Sequence, residues 1–240
     1  TDFFNIDPNR VDLIVFALTN AFSSSGGICC AKPHLIEHQR LSSAAYTFSA
    51  SLPAMLAITA IDVLRMIESS RDIHNKLLEN IQVAQSILNK SLSGQVDIHP
   101  SISSIDDISK SSIENSPLIS ISLPKDFIPQ SAHSEIIRTY HVDTDAILKN
   151  PTRLLKSLKN PELELALNLE QEKVLQEIVD EVLRNGVFIT KAKYVRDQEQ
   201  CFNTPNIRLS ISAGISKKDM EKAINVVVNA FKKILKLKKY

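Results

Sequence analysis

The chain has 240 residues, of which 28 are Lys or Arg and 27 are Asp or Glu, so its formal net charge is +1. This near-neutral balance provides no strong field to attract nucleic acid or another polyanion. Trp is absent and aromatic residues make up 5%, which argues against a base-stacking surface for nucleic acid. The 43% hydrophobic and 23% charged residues are typical of a globular chain long enough to bury a core.

The cysteine and apolar patterns argue against a disulfide-bonded protein and against a membrane-spanning segment. Cys29, Cys30 and Cys201 are an odd number with two adjacent, so a reduced, cytosol-facing chain is expected rather than a disulfide framework. Cys29 and Cys30 are expected to be small buried residues. The best apolar run, Leu52 to Ile61, is half of the about 20 residues that cross a bilayer. No N-terminal signal pattern is present, and the start at Thr1 is typical of an excised fragment.

Residues 1–70 predict strands and helices of an α/β domain. The predicted strands and helices lie, in chain order, over 11–18, 26–31, 33–45 and 52–69. The first strand is expected to be buried, Pro33 suits the first turn of a helix, and residues 46–49 are expected to be extended. The pattern is that of the remnant of a large α/β domain.

Residues 71–240 predict a smaller α+β domain. Its predicted helices and strands lie over 72–90, near Val96, and over 117–123, 170–185, 187–190, 207–213 and from Ser216 onward. Gly186 stands where the second helix should stop, and Ser216 with Asp219 should cap the third. The polar, proline-containing segment 124–168 is predicted to be an insertion.

The stretch ALTNAFSSSGG, Ala17 to Gly27, has the layout of a loop that presents a lysine to a cofactor. A strand leads into it, and small residues would keep its backbone close to a ligand. A Schiff base, however, needs a nucleophilic primary amine. Position 20 is Asn20, and the first lysine of the chain is Lys32. The carboxamide nitrogen of Asn20 shares its lone pair with the carbonyl and cannot attack an aldehyde.

Three stretches resemble a known family. They are Gly26-Gly27 with Cys29-Cys30, the run HQRLSSAAYTFSASLP from His38 to Pro53, and Gln200-Cys201 through Arg208. They are similar to the α-oxoamine synthases, a branch of the fold-type I pyridoxal-phosphate enzymes. Within that branch they resemble the C-terminal portion of long-chain base subunit 1 of serine palmitoyltransferases. The resemblance implies a PLP-dependent transferase (aspartate aminotransferase-like) fold, with a partial large domain followed by a small one.

The resemblance also implies a function. Such enzymes condense L-serine with palmitoyl-CoA to 3-ketodihydrosphingosine in sphingolipid biosynthesis, using pyridoxal 5'-phosphate. This subunit type lacks the Schiff-base lysine, whose position falls on Asn20, so the partner, long-chain base subunit 2, would bind the cofactor covalently. The chain would act in that heterodimer at the cytosolic face of the endoplasmic reticulum membrane, held there by an upstream segment. No nucleic-acid partner is expected.

The same resemblance proposes site residues. Ser49 matches the hydroxyl that reaches the partner's cofactor phosphate in homodimeric relatives, with Ser51 beside it, although both could be plain loop serines. Arg208 matches an arginine that binds a substrate carboxylate, or it is residual in a subunit without an aldimine. The Ser23–Gly27 loop is either a degenerate phosphate cradle or a turn at a subunit interface.

Other candidates have a simpler explanation. His34 and His38 lie on one predicted helix without further ligands, so no metal site is expected, and Arg40 is expected to serve packing and surface hydrogen bonding. The lysine-rich C-terminal tail either touches anionic lipid or is a solvated helix face. Two functional alternatives stay open. One is a structural or regulatory interaction protein that kept the fold, and the other is a stand-alone α-oxoamine synthase, which Asn20 opposes.

Overall fold

The computed structural model describes residues 5–100, 116–124, 127–129, 161–195 and 204–238. They form two compact units, unit 1 (Thr1–His74) and unit 2 (Asn75–Tyr240). The division lies close to the predicted boundary at residue 70. The assignment of the units as the remnant of a large domain and a small domain stays a prediction.

Unit 1 consists of a two-stranded antiparallel sheet followed by helices. Its elements are β1 (Leu13–Ala17), β2 (Gly27–Ala31), α1 (Pro33–Ser42), α2 (Ala44–Thr47) and α3 (Ala54–Ser69). Val15 lies opposite Cys29 in the strand register. The extended conformation predicted for 46–49 is wrong at its first two residues, because the Ser43 hydroxyl accepts a hydrogen bond from the backbone N–H of Tyr46 at 3.4 Å and caps α2.

The prediction that the first strand and both cysteines are buried is wrong. Leu18 is buried, but Val15 is 71% exposed, Cys29 is half-buried and Cys30 is exposed. The sheet of unit 1 has two strands in the described residues, and α3 buries only Ala60. Most apolar side chains on these elements are therefore left uncovered by the described residues of unit 1.

Unit 2 contains a four-stranded antiparallel sheet of order β3-β4-β6-β5. Helix α4 (Arg71–Leu92) leads into it, and the remaining elements are β3 (Asp97–Pro100), β4 (Leu118–Ser122), α5 (Pro161–Arg184), β5 (Thr190–Lys191), β6 (Asn206–Ser210) and α6 (Lys217–Lys238). One face of the sheet packs on the helices. Ile121, Ile207 and Leu209 join residues of α4, α5 and α6 in one buried apolar core.

The helix ends of unit 2 follow from local chemistry. The Ser216 hydroxyl accepts from the Asp219 N–H at 3.2 Å and donates to Asp219 Oδ2 at 2.7 Å, which confirms the predicted cap. Gly186, at a φ of +80°, follows α5 as predicted. Helix α5 begins at Pro161 rather than near residue 170, because proline suits the first helical turn.

Other boundaries of unit 2 also differ from the prediction. The two last strands are Thr190–Lys191 and Asn206–Ser210, which are shorter than the predicted 187–190 and 207–213 segments. Most of the predicted insertion 124–168, together with Cys201, lies outside the described residues.

Candidate functional site

The loop between β1 and β2 turns tightly. The Leu18 N–H donates to the Gly26 carbonyl at 2.9 Å, and the Ser24 N–H donates to the Leu18 carbonyl at 3.2 Å. Ala21, Ser23 and Gly26 have φ angles of 71°, 49° and 97°. For the two non-glycine residues this left-handed conformation costs on the order of 1–2 kcal/mol each. The loop therefore needs contacts elsewhere to hold its shape.

Those contacts come from the first turn of α3 and from Leu52, just before it. The Ser24 hydroxyl donates to the Leu56 carbonyl at 2.8 Å. A Cβ placed on Gly26 would lie 2.7 Å from Leu52 Cδ1, so the Leu52 side chain rests directly against the glycine. The Ser-Gly loop and the FSASLP segment, two stretches that the resemblance singles out, are thus in contact within unit 1.

The predicted site residues of unit 1 present polar groups to the outside. Asn20, Ser49 and Ser51 are all exposed. Within the described part of the chain, the Ser49 and Ser51 hydroxyls have no hydrogen-bond partner and are available to a group outside unit 1. Their assigned roles stay predictions.

Exposed apolar residues flank these serines along the chain. Phe48, directly before Ser49, is 87% exposed, and Leu41, Tyr46 and Met55 are also largely exposed. Where exposed apolar residues form a contiguous patch, the patch typically marks a protein or membrane contact. Ser49 thus lies in a stretch of the chain where large apolar side chains are left exposed within unit 1.

The loop and the FSASLP segment beside it suit a hydrogen bond to a cofactor phosphate but not a covalent bond to the cofactor. A covalent link to pyridoxal phosphate requires a primary amine, and no lysine occurs before Lys32. The exposed hydroxyls of Ser49 and Ser51 can donate hydrogen bonds to a phosphate oxygen. The loop and its neighbouring segment therefore suit a phosphate contact but not covalent attachment.

We expect Gly26→Ala to destabilise unit 1 by about 1–2 kcal/mol, because alanine is strained at this positive φ and its Cβ would meet Leu52. Hydrogen exchange of the β1–β2 amides measures the change, and exchange of the α4 and β3 amides measures it for the control. Gly94→Ala is the control, since Gly94 has a φ of +72° but no atom within 4 Å of the point where a Cβ would lie. Equal costs at the two glycines would contradict a close contact between Leu52 and Gly26.

Arg208 lies in unit 2, on β6. Its guanidinium carbon is 6.0 Å from the centroid of the Tyr194 ring, within the range of a cation–π interaction. Asn206 Nδ2 donates to the Tyr194 hydroxyl at 2.7 Å and to the Thr204 carbonyl at 3.0 Å. Sequence reasoning missed Tyr194, because strand pairing rather than a local motif brings it to Arg208.

The remaining candidates have ordinary surroundings. His34, His38 and Arg40 are exposed on α1, and the described residues contain no group of three or more side chains that could hold a metal ion.

In the lysine-rich tail, Lys233 Nζ pairs with Glu181 Oε1 at 2.6 Å, and this hydrogen bond is the main cause that lowers the pKa of Glu181. Across the described ranges, no helix is long and apolar enough to span a bilayer.

The known proteins that the chain is similar to in sequence have names of one kind, serine palmitoyltransferase 1 or long chain base biosynthesis protein 1. No family model matches the chain. Serine palmitoyltransferase 1 of Dictyostelium discoideum is 30% identical over 95% of this chain and 38% of its own length. Serine palmitoyltransferase 1 of Saccharomyces cerevisiae is 29% identical over the same shares. Long chain base biosynthesis protein 1 of Arabidopsis thaliana is 34% identical over 48% of this chain and 21% of its own length. The chain thus spans about two fifths of the first two relatives.

Solved structures agree on the fold. A serine palmitoyltransferase with a PLP internal aldimine has a TM-score of 0.60 and 14% identity, over 94% of this chain and 41% of that one. 8-Amino-7-oxononanoate synthase from Francisella tularensis has a TM-score of 0.57 and 16% identity, over 96% and 48%. The predicted fold class is confirmed. The chain has the fold of the fold-type I pyridoxal-phosphate enzymes and is homologous, over about 38% of their length, to proteins named serine palmitoyltransferase 1.

Proposed function

We propose that this chain is part of the non-catalytic subunit of a serine palmitoyltransferase, which condenses L-serine with palmitoyl-CoA to 3-ketodihydrosphingosine. The observation that carries the proposal is Asn20, a carboxamide in a loop that resembles a lysine-bearing cofactor loop. Similarity to serine palmitoyltransferase 1 over 95% of the chain supports it. The partner, long-chain base subunit 2, provides the lysine and binds pyridoxal phosphate covalently.

In this proposal the cofactor lysine lies on the partner, and the chain contributes further residues to the same active site. When bound to the partner, pyridoxal phosphate supplies an electron sink for carbon–carbon bond formation. Ser49 donates a charge-assisted hydrogen bond to the partner's cofactor phosphate, and Ser51 is a second candidate donor. The exposed apolar residues around Ser49 form the contact with the partner and exclude water from it. The exposed Arg208 is suited to a substrate carboxylate.

The same proposal gives the complex a place in the cell. It acts at the cytosolic face of the endoplasmic reticulum membrane, held there by a segment outside this chain. The free thiols of Cys29 and Cys30 support a reducing surrounding of this kind.

The first experiment asks which chain carries the cofactor. We expect the full-length protein that contains this chain to show no aldimine absorbance with pyridoxal phosphate when it is purified alone. Co-expression with the partner should give that absorbance, and borohydride reduction followed by peptide mass spectrometry should find the cofactor on the partner's lysine. Cofactor attached covalently to this chain, or turnover by this chain alone, would contradict the proposal and favour a stand-alone synthase.

The second experiment asks whether Ser49 belongs to the shared site. Ser49→Ala removes one hydrogen bond to a charged group, so we expect the complex to bind pyridoxal phosphate about tenfold more weakly. Ser42→Ala is the matched control, because Ser42 is also exposed but lies at the end of α1. An unchanged cofactor affinity for Ser49→Ala would favour a purely structural or regulatory subunit.

A further inference from the structure

Helix α6 concentrates positive charge in a chain that is balanced as a whole. Its 22 residues, Lys217–Lys238, include seven lysines and two acidic residues. The formal net charge of the whole chain is +1, so acidic residues elsewhere in the sequence offset the lysines of α6. The near-neutral total therefore does not exclude a local attraction to anions.

Most of these lysines lie on one exposed face of the helix. The opposite face, which includes Phe231, is buried in the core of unit 2. With 3.6 residues per turn, five exposed lysines share the outward face, which we call the lysine ridge: Lys218, Lys222, Lys232, Lys233 and Lys236. Asn225 and Asn229 occupy the middle of this face, and no acidic residue lies within it. At the rise of an α-helix, the ridge is about 27 Å long.

Carboxylates neutralise only part of the ridge. Lys222 Nζ is 3.3 Å from Asp219 Oδ1, and Lys233 Nζ is 2.6 Å from Glu181 Oε1. The other three lysines of the ridge are exposed and, within the described part of the chain, form no ion pair. These three ammonium groups are available to an anionic partner.

The shape of the ridge favours a flat partner. A row of lysines on the convex face of one helix does not enclose a single small anion, but it can lie along a layer of separate negative charges. Leu237, beside the ridge at its C-terminal end, is 66% exposed, and an apolar side chain in this position can enter the headgroup region of a bilayer. Lysines can bury their methylene stems there and keep their amines at the phosphates.

We propose that the lysine ridge of α6 binds the surface of a membrane that contains anionic lipids, with Lys218, Lys232 and Lys236 as the main contacts. Lysines on an amphipathic helix attract such a surface over about one Debye length, which is about 10 Å at 0.1 M salt. The contact is made by the folded surface of unit 2 with lipid headgroups. The inference stands on the charges of α6 and does not depend on the proposed function.

Lysine labelling in the presence of lipid tests the proposal. The full-length protein that contains this chain is combined with nanodiscs of phosphatidylcholine, with or without phosphatidylserine, and an N-hydroxysuccinimide ester labels accessible lysines for peptide mass spectrometry. Lys218, Lys232 and Lys236 should lose labelling when phosphatidylserine is present and recover it at high salt. Lys90 and Lys193, which are exposed outside α6, are internal controls and should be labelled equally with both lipids. Equal labelling of the ridge with both lipids would overturn the proposal.

A variant without the unpaired charges measures their contribution. It replaces three lysines of the ridge: Lys218→Gln, Lys232→Gln and Lys236→Gln. The affinity of the ridge for phosphatidylserine should fall about 100-fold, so the two remaining ridge lysines should be labelled equally with both lipids. A control variant removes the same charge from exposed lysines outside α6 and should keep the protection: Lys32→Gln, Lys90→Gln and Lys193→Gln. The same loss of protection in both variants would overturn the role of the ridge.

An acidic protein segment is the other partner that a row of lysines could bind. Poly-glutamate peptide, added without lipid, is the probe for this alternative. Protection of the ridge by poly-glutamate, together with equal labelling with both lipids, would overturn the membrane contact in favour of a protein partner. Protection by phosphatidylserine nanodiscs without protection by poly-glutamate at the same ionic strength would support the membrane contact.

Discussion

Replacing Phe231 with alanine is expected to lower the free energy of unfolding of unit 2 by about 3–5 kcal/mol. Phe231 is 0% exposed and lies on α6, in the core that joins this helix to the sheet. Its removal loses the transfer free energy of a large apolar side chain and leaves a cavity. For a domain of ordinary stability, about 5–15 kcal/mol, this is a large share of the total.

Urea unfolding followed by circular dichroism measures the effect of Phe231→Ala, because most of the helix in unit 2 depends on this core. The chain offers a matched control in Phe188, which is 78% exposed. Phe188→Ala should change the free energy of unfolding by about 0.5 kcal/mol or less. Similar losses for the two phenylalanines would contradict the packing of α6 on the sheet.

Elements with strong local periodicity can be predicted from the sequence. The apolar face of α6 follows from the spacing of Ile224, Val227, Val228, Phe231 and Ile234, and all five are buried. A 3.6-residue repeat depends only on residues within the helix itself, so it can be seen without knowledge of the neighbouring elements.

Burial in unit 1 cannot be predicted in the same way. The apolar run of β1 and the adjacent Cys30 have the composition of a buried strand, yet their side chains are mostly exposed. Composition indicates which residues prefer to be covered. Whether they are covered depends on the other layers that pack against the sheet.

The start of α5 differs from the prediction for another reason. Pro161 and the apolar residues after it follow a polar segment rich in proline, so the composition of the whole segment indicates an insertion. Proline at the first turn is itself a helix signal, and that signal moves the expected start from residue 170 to Pro161.

The candidate site residues could be identified from the sequence, but the contacts between them could not. Asn20, Ser49, Ser51 and Arg208 come from stretches that resemble a family. The contact of Gly26 with Leu52 and the hydrogen bond from Asn206 to Tyr194 join segments distant in sequence or brought together by the sheet. A single sequence carries no direct signal for such pairs, so they emerge only from the structure.

Asn80→Ala is expected to lower the free energy of unfolding of unit 2 by about 2 kcal/mol. Asn80, on α4, is 2% exposed, and its Nδ2 donates to the Ser212 carbonyl at 2.9 Å and to the Ile215 carbonyl at 3.0 Å. One amide thus ties α4 to the segment between β6 and α6, and alanine would leave both carbonyls without this donor. Urea unfolding measures the loss, with Asn89→Ala as the control on the exposed side of α4. If both variants unfolded like wild type, water would be replacing the amide at these carbonyls, and the link would contribute nothing to stability.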